Sequence, residues 1–379
     1  MDGDVPRDEE NGRLADAALV AWIRAAGGTV GPLRVGVSEE GVRGVYATAD
    51  LAGGDVILEV PRACLLLPAD LDVASEALDA LLSALGDHVR LALRLLRLEA
   101  AAEAGWEPYL ASLPTELQGH PLFWPPADLA LLAGTAMGPL LDDRLDLLRE
   151  ELRRVRAYAL VPATLSEAAW LRVRTLVTSR VFDLHFPDRA VVGLVPYADL
   201  FNHGAAGHTA WSIDAKTGAY VLRATVPVAA GAEVLGHYGP KGDLRLLLHY
   251  GFTLPDNPEA EGVLQLGAYG AVRVPMGCDD QAFGALLADL RRDMATSEEL
   301  AEAHDRGGDT RGALSPRNER AVLQAIEDAC ERGLVRLVEA AGATGSGVPE
   351  RYRDATRVRA SERRALAWVR AAVRALQRT

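Results

Sequence analysis

The sequence predicts an α+β protein: a β-rich domain interrupted by a helical insert and followed by an all-α C-terminal domain. Three observations lead there. Short β-prone runs punctuated by glycine fill residues 33–60 and return at 191–252; Leu/Ala-rich stretches at three- and four-residue spacing lie between them; and helical periodicity dominates after residue 280. Because the two β-textured parts flank the insert and hold the glycine-marked turns, the simplest arrangement pairs them in one domain. The expected division is an N-terminal helix (1–29), a first β part (30–70), the insert (71–178), a second β part (179–258) and the helical domain (259–379).

Taken in order, Leu14, Ala18, Trp22 and Ala25 recur at helical spacing over 12–26, and Gly27-Gly28 stops that helix. Strands are predicted at 33–37, 44–47 and 56–60, with Gly53-Gly54-Asp55 as a turn. The stripe Leu91, Leu95, Leu98, Ala102 predicts one or two helices over 72–104 with a core-facing side. Proline- and aromatic-rich connectors follow at 106–114 and 121–124, then helices at 128–132, 139–159 and 166–178. Strands are predicted at 191–195, 210–214, 219–224 and 233–236, with Lys216-Thr217-Gly218 as a hairpin turn. Ser315 and Pro316 read as N-cap and first residue of a helix, 305–313 as a Gly/Asp-rich loop and 342–347 as a linker. Leu366, Val369, Val373 and Leu376 give the last helix a buried stripe.

At 379 residues, with 49% hydrophobic and 25% charged residues, the chain has the composition of a soluble protein with two cores. No run of about 18 apolar residues predicts a membrane span. The acidic start MDGDVPRDEE has the features of neither a secretory signal nor a transit peptide. The expected location is cytoplasmic or nuclear, and chloroplast only if the N-terminus is incomplete or atypical. Cys64, Cys278 and Cys330 lie far apart and form no C-x-x-C, which points to a reducing compartment and away from structural zinc. His185, His203, His208, His237 and His249 fit no common metal-ligand spacing, so no metal is expected. A net charge of −13 disfavours nucleic acid as a partner and suits a cationic protein.

Four places carry residues able to do chemistry. Asn202-His203 follows an apolar run and precedes Gly204, where a strand terminator or a turn offering backbone groups to a purine-like edge would both fit. Tyr238-Gly239 places a hydroxyl where it can orient an attacking amine, or simply a half-buried aromatic at a sheet edge. Tyr250-Gly251-Phe252 adds a second hydroxyl and reads also as a glycine-closed helix end. Arg180, at a helix C-terminus, suits a carboxylate or the helix dipole, and Asp199 is either its partner or a structural acceptor.

In order and spacing these residues resemble the SET-domain protein methyltransferases, in particular the branch typified by the Rubisco large-subunit lysine methyltransferase. The resemblance runs from about residue 30 to the end. Gly41 to Ala47 with Asp50 to Asp55 looks like the family's first glycine motif. Trp106-Glu107-Pro108-Tyr109, Leu113-Pro114, Phe123-Trp124 and Leu132 to Thr135 match the insert. Tyr352, Ala355, Arg359, Glu362 and Leu366 resemble the final helices of a substrate-binding domain.

The resemblance implies a β-rich SET architecture with S-adenosylmethionine as cofactor, held by Glu40, Val42, Gly44, Arg180, Asn202, His203 and Tyr238. It makes Tyr238 and Tyr250 the catalytic tyrosines and puts Phe182, Asp199, Tyr250 and Phe252 on the substrate side. The activity it implies is lysine N-methylation of a non-histone protein by a monomer. A histidine acceptor, or a degenerate scaffold that only binds a protein partner, are the alternatives. Three departures stand out: Val42 where the glycine motif often begins, with Arg43 beside it; Lys241-Gly242-Asp243 in place of Lys-Ser-Asn; and His237 before the catalytic candidate.

Overall fold

The computed structural model describes residues 7–72, 75–101, 105–276, 280–305, 312–339 and 347–378. Helix α1 (Arg7–Ala25) ends at Gly27, whose φ of 90° closes it as the sequence predicts. Strands β1 (Thr29–Val30), β2 (Leu33–Val37), β3 (Arg43–Ala47) and β4 (Val56–Val60) follow. The insert opens with α2 (Glu76–Leu85) and α3 (Asp87–Ala101), separated by Gly86 at φ 89°, and continues with α4 (Glu107–Ser112) and α5 (Pro126–Leu129). Helices α6 (Met137–Ala157) and α7 (Glu167–Arg180) precede β5 (Val181–His185), β6 (Ala190–Leu194), β7 (Thr209–Ile213) and β8 (Tyr220–Ala224). The chain closes with α8 (Asp243–Tyr250), β9 (Glu261–Gln265), β10 (Ala271–Pro275), α9 (Asp280–Asp293), α10 (Ser297–Asp305), α11 (Pro316–Glu339) and α12 (Pro349–Leu376).

The chain divides into two compact units, Met1–Leu117 with Leu145–Gly239, and Gln118–Arg144 with Pro240–Thr379. In the first unit the two β-textured parts of the sequence do pair. The four-stranded sheet has the order β1-β4-β8-β7, so β4 meets β8 antiparallel across the whole insert. Hairpins β2–β3 and β5–β6 complete the β structure. Asp214 makes the β7–β8 turn: its Oδ1 accepts from the amides of Lys216 and Thr217 at 3.0 and 2.8 Å, with Gly218 at φ 68°. Trp170, Tyr109, Tyr197 and Tyr220 are the largest side chains buried in this unit's core. Glu151 of α6 and Arg174 of α7 form a buried two-pronged ion pair at 2.7 and 2.9 Å.

The second unit is helical except for the β9–β10 hairpin, which corrects the expectation of an all-α C-terminal part. Ser315 caps α11, its Oγ accepting from the Asn318 amide at 3.0 Å. In α12, Leu366, Val369 and Val373 are buried while Leu376, in the fraying last turn, is exposed. Two further predictions differ. Residues 128–132 form no single α-helix: a short α turn that starts at Pro126 passes at Ala130 into a 3₁₀ turn that ends at Leu132. Residues 233–236 form no strand: 231–234 bond to β3 and 235–236 to residues 202–208, so each ladder is too short to extend. Ala102, Cys278 and most of the two predicted loops at 305–313 and 342–347 lie outside the described residues.

Glu362 of α12 reaches the start of α6, where its Oε2 accepts from the Ala136 amide at 2.9 Å while Oε1, buried, has no partner. Burial pushes its carboxyl up to about 7, against the pull of that amide, Arg336 and Arg359. A carboxyl raised in the folded state favours folding below its unfolded value and loses that contribution as pH rises through the folded one. The wild type is therefore expected to lose up to about 3 kcal/mol from this group between pH 5 and pH 8. Glu362→Gln should flatten the dependence, so that its melting temperature gains on the wild type at pH 8 but not at pH 5, as differential scanning calorimetry would read.

Candidate functional site

In the first unit, the side chain of Asn202 joins three segments that are distant in sequence. Its Nδ2 donates to the Arg43 carbonyl at 2.9 Å, at the start of β3, and to Glu233 Oε1 at 2.8 Å. Its own carbonyl accepts from the Gly236 amide at 2.8 Å, and the Gly204 amide returns a bond to the Gly236 carbonyl at 2.9 Å. The crossing packs directly against Gly44. A Cβ there would overlap Glu233 Oε1 and lie 2.8 Å from Asn202 Nδ2, so any side chain at 44 would have to displace these two side-chain ends.

The crossing sets Tyr238 against His203. Nδ1 of His203 accepts from the Tyr238 amide at 3.2 Å, which requires that nitrogen to be unprotonated, and the two rings stack with centroids 5.0 Å apart. The Tyr238 hydroxyl donates to the Phe201 carbonyl at 2.6 Å. Its one proton is thereby directed at the backbone, and the oxygen lone pairs remain as acceptors. His237, the third departure, is exposed, with Nδ1 accepting from the Gly239 amide at 3.1 Å.

Arg180 ends α7, where its charge also complements the helix dipole. Its Nη1 donates to the Asp199 carbonyl at 2.7 Å and lies 3.5 Å from Asp199 Oδ2. The Asp199 carboxylate, which the resemblance puts on the substrate side and the residues alone offer as a partner of Arg180, is fully buried under Arg180 and accepts from the Tyr109 hydroxyl at 3.0 Å. Burial raises its pKa and Arg180 opposes the rise. Two atoms there, Arg180 Nε and Asp199 Oδ1, are buried without a hydrogen-bond partner. Tyr197, just before the turn that carries Asp199, has φ 69° and ψ −40°, a strained γ-turn conformation that costs about 1–3 kcal/mol for a non-glycine residue.

Glu40 and Val42 stand at the exposed tip of the β2–β3 hairpin, where the Ser38 hydroxyl bonds Glu40 Oε2 and the Val42 amide, each at 3.3 Å. The positive φ of this turn falls on Gly41, not on Val42, so valine is tolerated there. Arg43 directs its guanidinium to Asp16 of α1 and, at 2.6 Å, to the Ser112 carbonyl, leaving only its backbone at the crossing. Phe182 packs edge-on to Trp211 and Tyr220, with centroids 6.2 and 5.5 Å away.

Tyr250 and Phe252 belong to the second unit, on either side of Gly251, the left-handed cap of α8 at φ 82°. Lys241 Nζ lies 5.8 Å from the Tyr250 ring centre. Asp243, the departure in this loop, is buried, and its Oδ1 accepts from the Leu254 amide at 3.2 Å and Asn257 Nδ2 at 3.0 Å. An asparagine carbonyl could make the same two bonds, so the loop keeps its hydrogen bonding.

Arg180, Asn202, His203, Gly44 and Tyr238, five of the residues expected from the sequence, all stand in the first unit. Glu233 and Tyr109 carry no role in the sequence, although Tyr109 lies in the Trp106–Tyr109 motif and Glu233 in a predicted strand. Nothing local signals that their partners are Asn202 and Asp199. Gly44→Ala should destabilise the protein by roughly 1–3 kcal/mol through overpacking. Adding Glu233→Ala, which removes the colliding carboxylate, should recover part of that loss in a double-mutant cycle of melting curves.

No family model matches the chain. It is 29% identical over 264 residues to the mouse N-lysine methyltransferase SETD6, covering 64% of this chain and 54% of that protein. To the tobacco chloroplastic Rubisco large-subunit N-methyltransferase it is 25% identical over 249 residues, covering 60% and 48%. The chain thus spans about half to two thirds of the length of these curated relatives, 66% for rat SETD6. Among solved structures, the SET domain of LSMT bound to lysine and AdoHcy superposes with a TM-score of 0.76 at 21% identity, covering 96% of this chain and 92% of that one. Rubisco LSMT bound to AdoMet gives 0.73 at 20% identity, with 96% and 92% covered. The chain is similar in sequence to the SETD6 and Rubisco LSMT lysine methyltransferases, and its fold is that of the LSMT SET domain.

Proposed function

We propose that this chain is an S-adenosylmethionine-dependent protein-lysine N-methyltransferase acting on a non-histone protein. The observation that carries the reading is the Asn202 crossing, which sets the Tyr238 hydroxyl on the Phe201 carbonyl in the same unit as Arg180. The relatives named above as N-lysine methyltransferases, and the AdoMet-bound LSMT structure, support the same activity. The cofactor's carboxylate fits this chain: Arg180 Nε is a buried donor with no partner, and a carboxylate would satisfy it. Glu40, Val42, Gly44, Asn202 and His203 are assigned to the rest of the cofactor, which would supply a methyl group on a positively charged sulfur.

The chain's own residues then act by orientation. Tyrosines ionise near pH 10, and one whose proton is held by a carbonyl aligns its neighbours through its lone pairs instead of taking a proton. Fixed acceptors near the reacting centre reduce the entropy lost in reaching an in-line geometry. The acceptor lysine must react as the neutral amine, which burial among apolar groups favours. Tyr250 and Phe252, with Phe182, keep the acceptor-side roles that the resemblance implies. The net charge of −13 supports a cationic protein segment as substrate and argues against nucleic acid. We further propose a monomer located in the cytoplasm or nucleus; among the described residues no helix is long and apolar enough to cross a membrane.

Titration calorimetry needs no acceptor and tests the cofactor assignment. Micromolar binding of S-adenosylmethionine is expected, weakened about tenfold or more by Arg180→Ala or Asn202→Ala; a folded wild type that binds nothing would instead support the degenerate scaffold. Tyr238→Phe should lower methyl transfer to lysate proteins by about 10²-fold or more while leaving cofactor affinity within about threefold. Full transfer by that variant would contradict its role. Hydrolysis of the labelled proteins should release methyllysine, and methylhistidine would select the other acceptor.

A further inference from the structure

Tyr109 lies in a motif of the insert, Trp106-Glu107-Pro108-Tyr109, to which the proposed reaction gives no part. It is fully buried, yet its hydroxyl reaches across 90 residues of sequence to donate to Asp199 Oδ2 at 3.0 Å. Its ring is fixed by Trp106, with centroids 6.2 Å apart, and Trp106 packs in turn against Trp22 of α1 at 5.3 Å. The hydroxyl is therefore held in place from behind. Asp199 spends its backbone carbonyl and Oδ2 on Arg180, while Asp199 Oδ1 and Arg180 Nε have no partner. The carboxylate has few contacts to fix its plane, and the tyrosine supplies the short one.

We infer that Tyr109 is a positioning residue, which fixes the Asp199 carboxylate and through it aims the Arg180 guanidinium at the amino-acid end of the methyl donor. This rests on the methyl-donor reading above. Without the hydroxyl, the buried carboxylate has only Arg180 to satisfy it, and the shortest route to a better bond is rotation of both groups toward each other. A guanidinium turned in that way presents less to a ligand carboxylate. The consequence is selective, since it touches only ligands that carry the amino-acid end.

The test compares wild type, Tyr109→Phe and Asp199→Asn, all volume-conserving, by calorimetric displacement with two ligands. S-adenosylhomocysteine carries the amino-acid end; 5′-methylthioadenosine has the same nucleoside and thioether but lacks it. Both variants are expected to lose about tenfold in affinity for the first, the worth of one charge-assisted hydrogen bond, and to bind the second within about twofold of wild type. In turnover, the KM for S-adenosylmethionine should rise with kcat nearly unchanged. Unchanged affinity for S-adenosylhomocysteine in Tyr109→Phe, or an equal loss for both ligands, overturns the positioning role while leaving the donor site in place. A wild type that binds neither nucleoside overturns the methyl-donor reading itself.

Discussion

The first unit depends on one polar side chain that is bonded on both sides. Asn202 holds the carbonyl of Arg43, 159 residues earlier, and the carboxylate of Glu233, 31 residues later, with one amide nitrogen. Gly44 leaves room for these two side-chain ends, which a Cβ there would displace. From that crossing the rest of the site follows in sequence. Phe201 presents its carbonyl to the Tyr238 hydroxyl, and His203 presents a lone pair to the Tyr238 amide. A half-satisfied network at such a point would cost more than an apolar one, so its completeness matters as much as its membership.

Around it, buried charge is handled by pairing. Glu151 and Arg174 neutralise each other through two bonds in the core, a pair whose net contribution is small but whose single truncation is costly. Asp199 and Arg180 are paired less closely, with 3.5 Å between Nη1 and Oδ2, and both partners keep a buried atom without a hydrogen bond. Incomplete satisfaction next to a strained Tyr197 backbone is the kind of local cost that folds retain at working sites.

The second unit follows a different scheme. Its helices are tied by side chains that bond backbone at helix starts and turns: Glu362 to Ala136, Arg359 to the carbonyls of Leu131 and Ala133, Asp243 to Leu254. Two of these groups, Glu362 and Asp243, are carboxyls raised by burial, so this unit's stability depends on pH more than its surface composition suggests.

The sequence by itself determined what depends on near neighbours. Helix and strand texture, the Gly27 break, the Ser315 cap, the Lys216-Thr217-Gly218 turn and the order of Arg180, Asn202-His203 and Tyr238 could all be read from residues within a turn or two of one another. Tertiary structure decided what depends on distant partners. The break-up of 233–236 between two ladders, the grouping of residues 118–144 with the C-terminal residues and the distant partners of Glu233 and Tyr109 have no local signature. The physical reason is the same in each case: a hydrogen bond constrains both of its ends, and here one end lies tens of residues away, beyond the reach of periodicity or turn chemistry.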